Sequence, residues 1–98
     1  MLHTVNKSPF EYSALSACLR YAQKGSSVLL IEDGVYAVVK GSEAANRLKA
    51  AKDVTVYALW PDVEARGMQD RVLEGIKMVD YGGFVDLVAE HATVQSWL

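Results

Sequence analysis

Cysteine is nearly absent from this chain: Cys18 stands alone among 98 residues. A single thiol cannot build an internal disulfide framework, so small cross-linked secreted scaffolds are excluded and a reducing compartment fits. Long apolar runs are missing too; the longest extends over a few residues, far short of a membrane-spanning helix. The opening MLHTVNKSPF has no basic region followed by an apolar stretch, so no secretory signal is read there. Positive charge is not in excess either. Ten basic against twelve acidic residues leave a net charge of -2, and the lysines and arginines are scattered rather than striped. That pattern gives no electrostatic footprint for phosphates, which excludes direct nucleic-acid binding by this chain. The expectation is a cytoplasmic protein with one domain over residues 1–98 and no membrane segment.

Phosphate-cradling and metal-binding devices are also lacking. There is no G-x-G-x-x-G, no P-loop and no glycine-rich turn after the first strand, so nucleotide binding has no usual support. Gly82-Gly83 at a helix start could offer free amides to an anion. Asp80 beside the pair would repel phosphate, so close packing is the better reading. His3 and His91, the two histidines, lie at opposite ends of the chain without ligand spacing. No metal and no cofactor is expected.

What is present is a regular alternation. Leu2 to Val5 reads as a short strand, followed by the turn residues Asn6, Lys7 and Ser8. Ser8, Pro9 and Glu11 spell a helix start with a capping box, and Gly25 reads as the closing cap. Between them Leu15, Cys18, Leu19 and Ala22 form one apolar stripe. Val28 to Ile31 is a continuous apolar run, the mark of a strand buried on both faces of a parallel sheet. Asp33-Gly34 breaks it. Val35 to Val39 could be strand on propensity, but a helical turn preserves the alternation. Gly41 and Ser42 restart a helix over Glu43 to Ala51, and Val54 to Leu59 is the third strand. Pro61 opens a short helix to Arg66, within which Asp62 and Arg66 are spaced to pair. Ile76 to Val79 is the fourth strand, Asp80 caps a helix over Tyr81 to His91, and Val94 to Leu98 is a terminal strand. The fold class is therefore α/β: a mostly parallel sheet of about five strands with helices on both faces.

Asp33, Trp60, Asp62 and Asp80 fall at or just after the carboxyl ends of strands, where open parallel sheets place their ligands. Aspartates also end strands and cap helices for local reasons, and no substrate signal accompanies these. Cys18 is the one candidate catalytic residue. A nucleophilic thiol needs a helix N-terminus or an adjacent cation. Cys18 lies well past the first turn, with Ala14, Leu15, Tyr21 and Ala22 as helical neighbours, so it reads as a core cysteine. Hydrophobic residues make up 51%, the upper edge of ordinary usage, which points to apolar area covered by a partner.

Four stretches together resemble one family: LHTVNKSPF, LLIEDGVYA, VYALWPDVEARG, and VDYGGFVDL followed by VQSWL. They are similar to the DsrH/TusB family of bacterial sulfur-relay subunits, over almost the whole chain and in the family's order. The resemblance implies a DsrE-like fold and a heterohexamer with homologous TusC/DsrF-like and TusD/DsrE-like subunits. In the TusBCD branch a persulfide sulfur arrives from the carrier TusA and leaves through TusE, towards 2-thiolation of the tRNA wobble uridine. In the DsrEFH branch related proteins act in sulfur oxidation. In both, the principal sulfur-accepting cysteine belongs to another subunit, and Cys18 in SACLRYA matches a first-helix cysteine that members of this type often carry and some lack. The expected role is a non-catalytic subunit of the tRNA-thiolation type. The alternatives are the oxidation branch, an active carrier with a persulfide on Cys18, and a stand-alone domain binding a small anion. Interface candidates are Tyr36, Val38, Val39, Trp60 and Trp97.

Overall fold

The computed structural model describes Met1–Leu98. Five strands form one sheet: β1 (Leu2–Val5), β2 (Ser27–Leu30), β3 (Thr55–Leu59), β4 (Lys77–Val79) and β5 (Val94–Trp97). All pairings are parallel and the order is β4-β3-β2-β1-β5. The helices are α1 (Ala14–Tyr21), α2 (Glu43–Ala50), α3 (Trp60–Ala65) and α4 (Tyr81–Glu90). A 3-10 helix, Glu32–Val38, follows β2, and a short 3-10 turn, Gln69–Arg71, follows α3. The helical reading of residues 35–39 thus holds for all but Val39, which caps the 3-10 helix.

The strand order explains the layers. The first four strands step across the sheet in one direction, and right-handed crossovers then put their helices on one face. Only α4 belongs to the reverse step, from β4 back past β1 to β5, so it lies on the other face. Side chains alternate accordingly along each strand. Val5, Val28, Leu30, Val56 and Ala58 join Leu15, Cys18, Leu48, Val35, Val38 and Val63 in the main core. Leu2 and Leu29 face the opposite way and meet Leu87 of α4 in a second, much smaller core. Removing a leucine such as Leu30 from water contributes roughly 1.5–3 kcal/mol, so the larger core dominates stability.

Local signals hold the later helices. Ser42 Oγ accepts from Ala45 N–H at 3.1 Å and starts α2. Asp80 Oδ1 accepts from Gly83 N–H at 2.8 Å and starts α4. Gly83 packs closely there: a Cβ would lie 3.0 Å from that of Val79, tighter than ordinary contact. The first helix differs from its expectation. Ser8 does not cap α1; its Oγ accepts from Phe10 N–H and its carbonyl from Tyr12 N–H, closing a separate turn. The α1 helix starts at Ala14 and ends at Tyr21, and Gly25 supplies a left-handed turn before β2 instead of a helix cap.

Candidate functional site

Cys18 sits on the buried side of α1, with no exposed surface, inside the main core. No cation touches it, and it lines none of the surface recesses. Burial pushes its thiol up to about 11, because the apolar surroundings penalise the thiolate. At neutral pH the sulfur is therefore a protonated, enclosed thiol. It fills space as a small hydrophobe does.

The carboxyl edge of the sheet is more polar, and its polar groups are occupied with one another. After β2 the chain turns sharply: Glu32 adopts a φ of 49° and its N–H donates to Asp62 Oδ2 at 2.6 Å. Arg66, just beyond α3, directs Nε and Nη2 at Asp33 Oδ1, 3.1 and 2.8 Å away. Its Nη1 donates to the Asp62 carbonyl at 3.1 Å, and its guanidinium lies 5.8 Å from the Tyr36 ring centre. The bond to Asp33 and the carboxylates around it raise the Arg66 pKa further, so this cation stays charged. The spacing of Asp62 and Arg66 suggested that pair from sequence, yet their charged groups are 4.0 Å apart. Asp33, thirty-three residues away, is the principal partner and left no local signal. With Arg66 engaged three ways, the edge has little left to offer a small anion.

Trp60 and Asp80 come together at the ends of β3 and β4. With Met78, Val79 and Gly83 they line an open recess of about 550 Å³. Asp80 spends one carboxylate oxygen on its helix cap, so the recess is apolar in character. Asp33, Trp60, Asp62 and Asp80 thus divide into a closed ionic knot and an apolar hollow.

The five interface candidates are placed unequally. Tyr36, Val39, Trp60 and Trp97 are each half-buried. Val38 is completely enclosed and has no surface to give a partner; the 3-10 helix turns it onto the sheet while Tyr36 faces Arg66. Trp97 packs against Tyr21 and His3, with ring centres 5.8 and 6.1 Å away. Large exposed apolar residues lie beside Trp97, at Tyr21 and Leu98, and also away from the candidates: Tyr81, Val85 and Val88 on α4, and Phe10 and Tyr12 in the turn before α1. The α4 signal was available, since Tyr81, Phe84, Val85, Leu87 and Val88 cover more of the helix than one buried stripe requires.

The chain matches the family model described as DsrH like protein over residues 7–94. It is 38% identical to Protein TusB of Pectobacterium parmentieri, over 99% of this chain and 100% of that one. It is equally 38% identical to Protein TusB of Shigella flexneri, with the same coverage. Two solved structures share its fold. The ychN protein from E. coli superposes with a TM-score of 0.73 at 15% identity, covering 97% of both chains. The protein of unknown function MTH1491 from Methanobacterium thermoautotrophicum gives 0.73 at 20% identity, covering 97% and 95%.

Proposed function

Because the chain belongs to the DsrH/TusB family, we propose that it is a non-catalytic subunit of a cytoplasmic sulfur-relay complex serving 2-thiolation of the tRNA wobble uridine. The observation that carries this reading is the end-to-end similarity to TusB proteins, 38% identical over 97 residues with the whole relative matched. Its partners in the assembly are homologous TusC-like and TusD-like subunits in a heterohexamer. The carriers TusA and TusE deliver and remove the sulfur.

The non-catalytic part of the proposal is supported by Cys18. A relay thiol must attack or be attacked at a persulfide, which requires a thiolate and access. Cys18 has neither, with its thiol pushed up to about 11 and no exposed surface. The sulfur is therefore carried by a cysteine of another subunit, and this chain organises the assembly around it.

The test has two stages. The chain is co-expressed with TusC-like and TusD-like chains and the product weighed by native mass spectrometry; co-assembly is expected. Thiolated uridine is then measured in tRNA from cells lacking this chain and from cells carrying Cys18→Ser. Loss in the first and retention in the second are expected. Failure to co-assemble, or undiminished thiolation without the chain, overturns the proposal.

A further inference from the structure

The sheet has two open edges, and they are protected unequally. At one, β4 is three residues long and carries the exposed Lys77. A short, charged edge discourages a further strand. At the other, β5 reads Val94-Gln95-Ser96-Trp97, with no charged residue, proline or glycine. Val94, Gln95 and Ser96 are exposed, so no helix or loop of this chain covers the strand.

The ladder dictates which backbone groups of β5 are left over. Successive residues of a parallel strand turn their N–H and C=O to one neighbour and then to the other. The Leu2 N–H donates to the Thr93 carbonyl at 3.0 Å, while the Met1 and Val5 carbonyls accept from Ser27 and Ile31 on the β2 side. With Leu2 opposite Val94 and His3 opposite Gln95, the backbone groups of Gln95 and Trp97 go to β1. Val94 and Ser96 therefore aim theirs away from the sheet. Such a row accepts an extended chain, and here it is self-complementary. When a second β5 runs antiparallel with its Ser96 opposite Val94, each outward N–H meets a C=O of the other copy. Gln95 then falls on the two-fold axis opposite itself, and its amide holds both a donor and an acceptor.

Charge does not oppose this contact. No charged side chain occurs from Ala92 to Leu98. Tyr21 is the α1 side chain that packs on Trp97 of β5, whereas Arg20 turns to the α2 side beside Ala50 and Ala51. Lys24 and Glu90 precede β2 and β5, at the amino ends of the strands. Antiparallel pairing brings the carboxyl end of the other copy there, so neither meets its own copy. Exposed Tyr21 on the α1 face and Val94 on the α4 face add apolar area to the joint.

We infer that β5 is the pairing edge of a two-fold dimer of this chain, its occupant the β5 strand of a second copy. The sheet then runs on through both copies. This concerns like copies and does not depend on the relay reading. One short strand from each copy makes a joint at the low end of interface sizes, so the dissociation constant is expected on the order of 10–100 µM.

Sedimentation equilibrium of the full-length chain should show monomer at about 1 µM and mostly dimer at about 500 µM. Amide exchange read by NMR over the same range locates the contact. The Val94 and Ser96 N–H groups should gain protection as concentration rises, while Gln95 and Trp97, already bonded to β1, change little. Val94→Lys places a charge on the edge, and Ser96→Pro removes an outward N–H while leaving the ladder to β1 intact. Each should weaken dimerisation about tenfold or more, with folding checked by circular dichroism; if Ser96→Pro does not fold, Val94→Lys decides. A chain that stays monomeric throughout, or a dimer that leaves these amides unprotected or ignores a folded variant, overturns the inference. Protection that appears only when a TusC-like or TusD-like chain is added would make the occupant a partner's strand, overturning the second copy while the relay reading stands.

Discussion

The indole Nε1 of Trp97 donates to Nδ1 of His3 at 3.1 Å, latching the last strand to the first across 94 positions of chain. The bond requires Nδ1 to be unprotonated, and His3 is 1% exposed. Burial first, and the positive N-terminus second, lower its pKa below the ordinary 6.5. A depressed pKa means that the unfolded chain takes up the proton first. The stability from neutral His3 is therefore complete above pH 6.5 and is lost as pH falls through the folded value. Acidification is expected to loosen β5 first, because its residues are mostly exposed and it pairs on one side only. Urea midpoints followed by tryptophan fluorescence should decline from about pH 7 to about pH 5. His3→Gln, which keeps an acceptor and does not titrate, should decline less. Equal slopes would refute the latch.

Arg66 is expected to stabilise the junction between the 3-10 helix and α3. Its two donors meet one oxygen of Asp33, and a third meets the Asp62 carbonyl. Arg66→Ala should cost about 1–2 kcal/mol, held to that size by solvent screening at Asp33, whose side chain is 60% exposed. Arg66→Lys should recover only part, since an ammonium cannot reproduce the fork. A double-mutant cycle with Asp33→Asn measures the coupling; strictly additive losses would show that the contact contributes nothing.

The strands and the later helices were legible because their signals are local. Val28 to Leu30 is apolar without alternation and is buried on both faces. Asp80 and Ser42 make the caps their spacing announced. The first helix misled because Ser8, Pro9 and Glu11 satisfy a capping pattern that the chain uses for a tight turn instead. The Asp33–Arg66 contact and the His3–Trp97 latch depend on strand order, which one sequence does not encode in any local spacing. The burial of Val38 has the same origin: the phase of a seven-residue 3-10 helix is set by what it packs on. At Cys18 the sequence was informative, since an apolar stripe without a cation is what the folded core shows.

Gly34 should tolerate no side chain. A Cβ there would sit 2.1 Å from the Val5 carbonyl oxygen, in the backbone of β1, which is paired on both sides and cannot move aside. The sharp turn at Glu32 and the start of the 3-10 helix both depend on this approach. Gly34→Ala is expected to destabilise by more than about 3 kcal/mol, through overpacking against backbone. Thermal or urea unfolding measures it, and a loss within 1 kcal/mol, roughly the cost of an ordinary substitution, would mean the turn is pliable.

The α4 helix should open before the rest of the fold. Its anchoring core has three buried residues, against 14 in the main cluster. Local opening follows the density of buried apolar contacts, so its amides are expected to exchange through fluctuations well below the global unfolding energy. Leu87→Ala should lower α4 protection by about 2–4 kcal/mol while amides of β1 and β2 change less. Hydrogen exchange read by NMR separates the two. Uniform loss across the sheet would show that the two faces unfold as one unit.

Cys18 should behave as a stability residue whose contribution ends at high pH. Its thiol is pushed from 9.0 up to about 11 by burial. Here the raised value means that the unfolded chain releases the proton first. The stabilisation is full below pH 9 and is lost as pH rises towards 11. The loss attributable to this thiol is at most about 3 kcal/mol. The reading is the difference between wild type and Cys18→Ala, whose stability should fall less steeply. At neutral pH the native thiol should resist iodoacetamide, and urea should release its reactivity in step with unfolding, because the enclosing core must open first. Rapid alkylation of the folded chain, or parallel stability curves for the two proteins, would contradict an enclosed thiol and reopen Cys18 as a working one.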